Sequence, residues 1–440
     1  MSAPAKKVLI VTYYWPPAGG PGVQRVLKFA KYLPEFGWQP LILTVKNGEY
    51  PAFDPTLEKE VPEAARVFRT AAIEPNFLYK KFTGMSSDES IPVAVLADKK
   101  LNWKKRLANS IRLNLFVPDA KIGWIPFAVK RGHRILEEEK PDVIFSSSPP
   151  PSVHLIARKL AKSGGLKWVA DFRDPWTDIH YYEDYRRIGL ARRIDHNLEY
   201  NVLRRADVVT CISRLDIEMD FAQKIEGQRF VNIANGYDED DFAGIQRRGT
   251  PSAKFVLMHL GGVGSERNPV NLFKAVRALL DQGRISPPDF ELVFIGKVDE
   301  VILQTVEELG LTAVFTRIPY LPHREALQHT QAASAMLLLV TQSQKNLRIL
   351  PGKTFEYMRT GKPILALGPE DGEVARILNN SHTGKMISYE KYDEIYSTVL
   401  NLYSQWKKAG SLQQNIDADI QSYSRQNLTA KLVNVFESIL

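Results

Sequence analysis

The chain has 440 residues, 44% of them hydrophobic and 25% charged, with a formal net charge of +8. That length exceeds one ordinary core and predicts two domains of roughly 200 residues each; the lack of low-complexity tracts and fixed-period repeats excludes disordered and solenoid classes. The basic balance leaves nucleic acid, anionic membrane and phosphorylated small molecules as partner classes, to be separated by where the charge sits.

The first predicted strand, 7–13, runs into "WPPAGGPGVQRVLKFAKYL". Its apolar run, VLIV, is short and ends in a turn, so no signal peptide is expected. Gly20 and Gly22 occupy the first two positions of a G-x-G-x-x-G turn, and Arg25 stands at the third. A helix follows from Val23 to Leu33, then a strand at 39–45. Residues 50–125 break the alternation. They contain "DKKLNWKKRLANSIRLNLF", with Trp103, Leu107, Ile111 and Leu115 at a spacing of four among six Lys or Arg residues. This basic amphipathic helix, residues 99–115, has two readings: a solvated cap on the first domain, or a contact with an anionic membrane surface.

Strand 142–146 leads into "SSSPPPSVHL", where Ser146–Ser148 and the prolines form a rigid mouth. His154 lies in the first turn of helix Val153–Lys162. Strand 167–171 ends in "DFRDPWTD", which gathers Asp171, Arg173, Asp174 and Trp176 at a carboxyl edge. Such a density of charge there suggests a site. Helix Leu198–Ala206 and strands 207–212 and 229–233 complete the first set. The one cysteine, Cys211 in "DVVTCIS", excludes a disulfide framework and reads as a buried, inert thiol in a reducing compartment. A polar, turn-rich stretch from Asn235 to about Lys254 is the expected hinge. Its D-x-D, Asp238 and Asp240, sits among adjacent acids and reads as a solvated charge run.

The second set repeats the opening. Strand 254–260 feeds "GGVGSERNPV", with Gly262 and Gly264 in the turn and Arg267 at the third position. A glycine turn after a strand brings backbone N–H groups to the sheet edge and favours an anion. A long arginine at the third position spoils the tight helix packing of a nicotinamide site and adds a cation. Helix Val270–Leu280 and strands 291–296 (ending at Gly296), 313–317, 334–340, 363–367 and 383–388 follow. The longest uncharged stretch, Ala326–Gln344, is broken by Gln, Thr and Ser, so no membrane span is expected. "ILPGKTFEYMRTGKPILAL" lacks the first glycine of a P-loop, since Leu347 stands there. It reads instead as a helix opened by Gly352 and Lys353, carrying Glu356 one turn in, and closed by Gly361. No zinc-hydrolase or serine-hydrolase motif is present.

Buried strands alternating with helices predict an α/β protein: two Rossmann-like, doubly wound parallel domains facing a cleft. The boundaries read as 1–240 and 241–410, with 411–440 as C-terminal helices able to pack on either domain.

The order and spacing of PPAGGPGVQR, DFRDPW, NGYDEDDF, GGVGSERNP, LPHREAL and PGKTFEYMRTGKPIL resemble glycosyltransferase family 4, retaining enzymes of the two-domain B-type fold, and bacterial surface-polysaccharide members in particular. The resemblance implies a UDP- or GDP-linked sugar bound mainly by the second domain and a hydroxyl acceptor, such as a lipid-linked glycan, bound mainly by the first. It implies no metal or further cofactor. Arg267 matches the second of the family's two diphosphate-binding basic residues, whereas the first falls at Gly262. Glu356 keeps the second acid of the family's Glu-x7-Glu pattern, and Arg348 replaces the first.

On this reading Arg267, Lys353 and the glycine-turn N–H groups (Gly20, Gly22, Gly262, Gly264, Gly296) receive charge on the leaving diphosphate. Glu356 anchors the ribose, the backbone around Ile318–Leu321 with Tyr320 reads the base, and Asp171 or Asp174 orients the acceptor. His154, Arg173 and Trp176 line the acceptor side. The expected location is cytoplasmic, with a peripheral contact at the inner membrane face. Two rival readings are a nicotinamide oxidoreductase, which needs the missing third glycine, and a non-catalytic nucleotide or glycan binder. Nucleic-acid binding is disfavoured, because the basic residues cluster on one helix without interleaved stacking aromatics.

Overall fold

The computed structural model describes residues 5–50, 52–73, 110–178, 187–245, 253–341, 344–412 and 420–440. The chain divides into two compact units, Met1–Ala234 with Arg425–Leu440, and Asn235–Ser424.

In the first unit the strands β1 (Lys6–Val11), β2 (Trp38–Val45), β3 (Arg66–Thr70), β4 (Val143–Ser148), β5 (Lys167–Phe172), β6 (Val208–Cys211) and β7 (Phe230–Asn232) form a sheet in the order 3-2-1-4-5-6-7. All of its strand pairings are parallel. The cause is visible in β1, where Val8 to Val11 are all fully buried. Val8 and Ile10 face one hydrophobic cluster while Leu9 and Val11 face another. A strand apolar on both sides requires cover on both sides, and helical crossovers supply it. Helices α1 (Pro21–Tyr32), α2 (Ile125–Glu139), α3 (Ser152–Gly164) and α4 (Gly189–Arg205) lie between strands.

The second unit repeats the plan. Strands β8 (Phe255–Leu260), β9 (Phe290–Ile295), β10 (Phe315–Ile318), β11 (Ala335–Leu339), β12 (Ile364–Leu367) and β13 (Gly384–Ile387) take the order 10-9-8-11-12-13. Helices α5 (Val270–Asp281), α6 (Glu300–Glu308), α7 (His323–His329), α8 (Lys353–Thr360), α9 (Glu373–Ser381) and α10 (Tyr392–Ala409) accompany them. The last helix, α11 (Arg425–Glu437), belongs to the first unit, where Leu428, Leu432 and Phe436 join the cluster around Val8 and Ile10. In both sheets the strand order reverses once, between β1 and β4 and between β8 and β11. Ligands of doubly wound folds bind outside the carboxyl ends of the strands at that reversal.

Three details differ from the sequence reading. The edge strand β3 falls in the stretch read as irregular; its sequence, RVFRT, has no fully buried residue and so gives little apolar signal. The division between units lies at Ala234 and Asn235, where the polar stretch begins. Asp238 does not belong to a merely solvated acid run: it is buried and caps a short turn, accepting from the Asp240 amide at 3.2 Å. Of the basic amphipathic run, residues 99–109 lie outside the described residues and 110–115 are helical.

Candidate functional site

In the second unit the residues converge on the end of β8. Beyond Leu260 the backbone turns at Gly261, whose φ of 100° is strained for any residue with a side chain. Gly296, directly after β9, has a φ of 129°, and a Cβ there would lie 2.8 Å from the Gly261 carbonyl carbon. Two backbones therefore touch at the carboxyl ends of the neighbouring strands β8 and β9, and only glycine lets them. The sequence pointed to Gly262 and Gly264. Gly264 precedes the short turn Ser265–Arg267, while the sterically demanding position is Gly261, hidden because it is the first of a glycine pair.

Helix α8 brings the charged groups. Gly352 precedes it and Gly361, at φ 71°, ends it. Thr354, Phe355, Tyr357 and Met358 bury its inner face, so its first turn presents Lys353 and Glu356 together. The Tyr357 hydroxyl accepts from the Leu260 amide at 2.7 Å, satisfying the last N–H of β8. Lys353 Nζ donates to the Leu260 carbonyl at 2.7 Å and lies 3.4 Å from His259 Nε2. Burial, and then the nearby charge of Arg267, push the Lys353 ammonium down to about 8, against the opposing pull of Glu356. Arg267 is a quarter exposed and pairs with Glu266, Nε to Oε1 at 3.0 Å. Glu356 Oε1 is 2.9 Å from His323 Nε2, at the start of α7. Tyr320, in the loop before α7, is 81% exposed, and Arg348 is buried in the short 3-10 turn before α8.

Two cations thus lie near each other at this sheet edge, with Glu266 beside Arg267 and Glu356 near Lys353. A lysine disfavoured by burial and a like charge is stabilised when an anion arrives. His259, His323 and Tyr357 escaped the sequence reading. His259 sits inside the apolar strand FVLMHL, and its signal is the single polar residue of that strand.

The first-unit candidates fare differently. Asp171 is fully buried and its carboxylate is fully engaged: Arg25 donates at 2.7 and 3.0 Å, and Ser147 and Thr210 each donate at 2.7 Å. Burial alone would raise this carboxyl; the Arg25 charge and the hydrogen bonds hold it below the ordinary carboxylate value. The expectation that Asp171 orients an acceptor is therefore corrected, since it has no oxygen to offer. Arg25 is the other half of this arrangement. It is a buried tie rather than a phosphate cation, and it also donates to the Ile233 and Ala234 carbonyls at 2.8 and 2.9 Å.

Arg173 spends its guanidinium on the carbonyls of Ser148 at 2.8 Å, Pro149 at 2.7 Å and Gly22. His154 is buried, stacks on Phe172 and shares a 2.8 Å bond with Ser146, and burial drops it to about 3. Trp176 is buried and donates to Asp195 at 2.8 Å. Arg173, His154, Trp176 and Ser146–Ser148 thus shape the carboxyl edge by holding it together, because their polar atoms are turned into the unit. Asp174 is exposed. Gly20, at φ 88°, precedes α1, and Gly22 lies in its first turn against Tyr14 and Arg173.

Comparison with known proteins bears on this pair of units. Residues 19–236 match the profile of the glycosyl transferase 4-like domain. That segment, just under half of the chain, is similar to the family. A curated relative described as probable glycosyltransferase WbjE of Pseudomonas aeruginosa is 24% identical over 262 residues. That match covers 55% of this chain and 61% of the relative, so about three fifths of the relative's length is spanned. Solved structures share the fold over nearly the whole of this chain. Sucrose-phosphate synthase from Thermosynechococcus elongatus has a TM-score of 0.61 at 14% identity, covering 99% of each chain. Anabaena HepE in complex with UDP and glucose has a TM-score of 0.59 at 14% identity, covering 98% of this chain and 100% of its own. A lipopolysaccharide outer core galactosyltransferase, WaaB, has a TM-score of 0.58 at 14% identity, covering 99% and 100%. The fold is thus the two-unit B-type glycosyltransferase fold.

Proposed function

We propose that this chain transfers a glycosyl group from a UDP- or GDP-linked sugar to a hydroxyl acceptor, with retention at the anomeric carbon, in the synthesis of a surface polysaccharide or glycolipid. The observation that carries the reading is the neighbouring cations Lys353 and Arg267 beside the touching glycines at the carboxyl ends of β8 and β9. As the glycosidic bond breaks, the electron pair passes to the diphosphate oxygen, the acceptor oxygen bonds the anomeric carbon, and the acceptor's hydroxyl proton passes to the leaving phosphate. Lys353 and Arg267 stabilise that charge more in the transition state than in the ground state, and this differential is catalysis. Glu356, braced by His323, accepts from the ribose hydroxyls. The exposed loop around Tyr320 meets the base. On the first unit, exposed Asp174 is the residue left to orient the acceptor, with Gly20 and Gly22 at the same carboxyl edge. Binding of UDP and glucose by HepE supports a nucleotide-sugar donor here by analogy of fold.

The described part of the basic amphipathic run has an exposed apolar face, which supports a peripheral contact with anionic lipid and suits a lipid-linked acceptor. Among the described residues no helix is long and apolar enough to cross a membrane.

The deciding experiment is a panel of nucleotide sugars screened for donor hydrolysis, with released nucleotide measured for the native chain and for Lys353→Met. Release from one donor class, lowered about a hundredfold or more by Lys353→Met, is expected. No release and no binding of UDP or GDP would overturn the reading, and binding of a nicotinamide dinucleotide in their place would favour the oxidoreductase alternative.

A further inference from the structure

We infer that His259 is a positioning residue for Lys353, its neutral imidazole holding the lysine ammonium where a nucleoside diphosphate meets it. This deepens the donor-binding reading above and rests on it.

At the reversal point β8 pairs with β11, with Met258 opposite Met336, which brings His259 beside Leu337. The Leu337 carbonyl can only accept, and His259 Nδ1 lies 2.9 Å from it, so Nδ1 carries the proton. Nε2 is then a bare acceptor, 3.4 Å from Lys353 Nζ. Burial first, and the Lys353 charge second, keep His259 well below its ordinary value, so the acceptor persists at neutral pH. The ring packs on Phe294 with centroids 5.5 Å apart. An apolar side chain would fill that space equally well; only the imidazole adds an acceptor facing a lysine.

An ammonium has three N–H donors. The Leu260 carbonyl takes one and His259 Nε2 a second, and a phosphate oxygen would take the third. Gly261 leaves the room, since a Cβ there would stand 2.8 Å from Lys353 Nζ. The charged and titratable groups facing Lys353 are His259 from β8, Arg267 from the turn after it, and Glu356 and Tyr357 from its own helix.

The pH dependence follows. With Lys353 at about 8 in the free protein, its charge is lost as pH rises through that value. A bound diphosphate favours the ammonium and raises its pKa. Affinity for UDP or GDP therefore falls above about pH 8, and binding there takes up a proton. A neutral acceptor also favours the ammonium, so removing it lowers the Lys353 midpoint further.

The test uses the full chain with His259→Phe, which keeps a ring but removes the acceptor, and His259→Gln, which restores one. Lys353 is titrated without nucleotide by lysine 13Cε NMR, its resonance assigned with Lys353→Met. UDP, GDP and the corresponding monophosphates are titrated calorimetrically between about pH 6.5 and about pH 9.5. Expected are a lower Lys353 midpoint in His259→Phe, a roughly tenfold loss of diphosphate affinity with monophosphate affinity within about twofold, and recovery of both in His259→Gln. A His259→Phe protein that melts like the native chain, titrates Lys353 at the native midpoint and binds diphosphate normally overturns the inference and leaves the donor reading standing. If the native chain binds no nucleotide, the donor reading fails and the role of His259 toward a diphosphate fails with it, while the NMR arm still reports whether His259 holds Lys353.

Discussion

Position 25 shows how one residue type can carry opposite meanings. Read locally, an arginine in a glycine turn is a cation awaiting phosphate. In the fold it is a buried fastener whose partners, Asp171 and the Ile233 and Ala234 carbonyls, lie 146, 208 and 209 residues away in sequence. No local pattern could reveal them. Lys353 and Glu356 stand three positions apart on one helix, a spacing visible in the sequence, whereas His259 reaches Lys353 across 94 residues. The Arg25–Asp171 pair is 1% and 0% exposed, so breaking it strands a charge. Arg25→Met should cost about 3–5 kcal/mol of first-unit stability. Asp171→Asn in the same chain should recover part of that loss, because the stranded carboxylate is gone. The sign with pH follows from the lowered Asp171 value: the pair contributes above the ordinary carboxylate range, and its contribution is lost as pH falls through the lowered value. Urea denaturation of the two variants near neutral and acid pH measures this. Equal losses for Arg25→Met and the double variant would contradict it.

At the scale of elements, most strands were legible because a parallel sheet covered on both faces needs continuous apolar runs, and such runs are conspicuous. The edge strand β3 was not, since one side of it needs little cover. Helical residues 110–115 expose Ile111 and Leu115. Asn114 Oδ1 accepts from the Ile188 amide at 2.7 Å, which docks this turn against the start of α4. There Ile188, Leu190 and Ile194 are also exposed, interleaved with exposed Arg192 and Arg193. Apolar side chains among arginines match an interface of acyl chains and anionic headgroups. The chain should co-sediment with vesicles containing phosphatidylglycerol at low salt and release as salt screens the headgroups. Leu190→Glu with Ile194→Glu should weaken this binding while nucleotide binding persists. Equal sedimentation with and without vesicles at low salt would reject the contact.

The molecule as a whole is organised by its last helix. The chain leaves the first unit after Ala234, builds the second, and returns at Arg425. A helical period announces that α11 has an apolar face but cannot say which unit it covers, so the sequence left both open. In the fold Phe436 packs on Trp38 and Phe145, with centroids at 5.2 and 5.9 Å, and Trp38 Nε1 donates to Glu437 at 3.1 Å. Leu428, Leu432, Val433, Val435 and Phe436 are all buried in the cluster that covers one face of the first sheet. Fully burying each such side chain is worth about 1.5–3 kcal/mol, and a domain's net stability is about 5–15 kcal/mol, so removing all five takes away an amount comparable to the whole. Deleting 425–440 should therefore unfold the first unit and spare the second, whose core of β8, β9, β11 and α5 is built from its own residues. Hydrogen exchange measures the two separately. Amides of β1, β2 and β4 should lose protection in the truncated chain, while those of β8, β9 and β11 keep it and UDP or GDP still binds. Retained protection in β1 and β4 would mean that α11 is an accessory to the first sheet rather than part of its core.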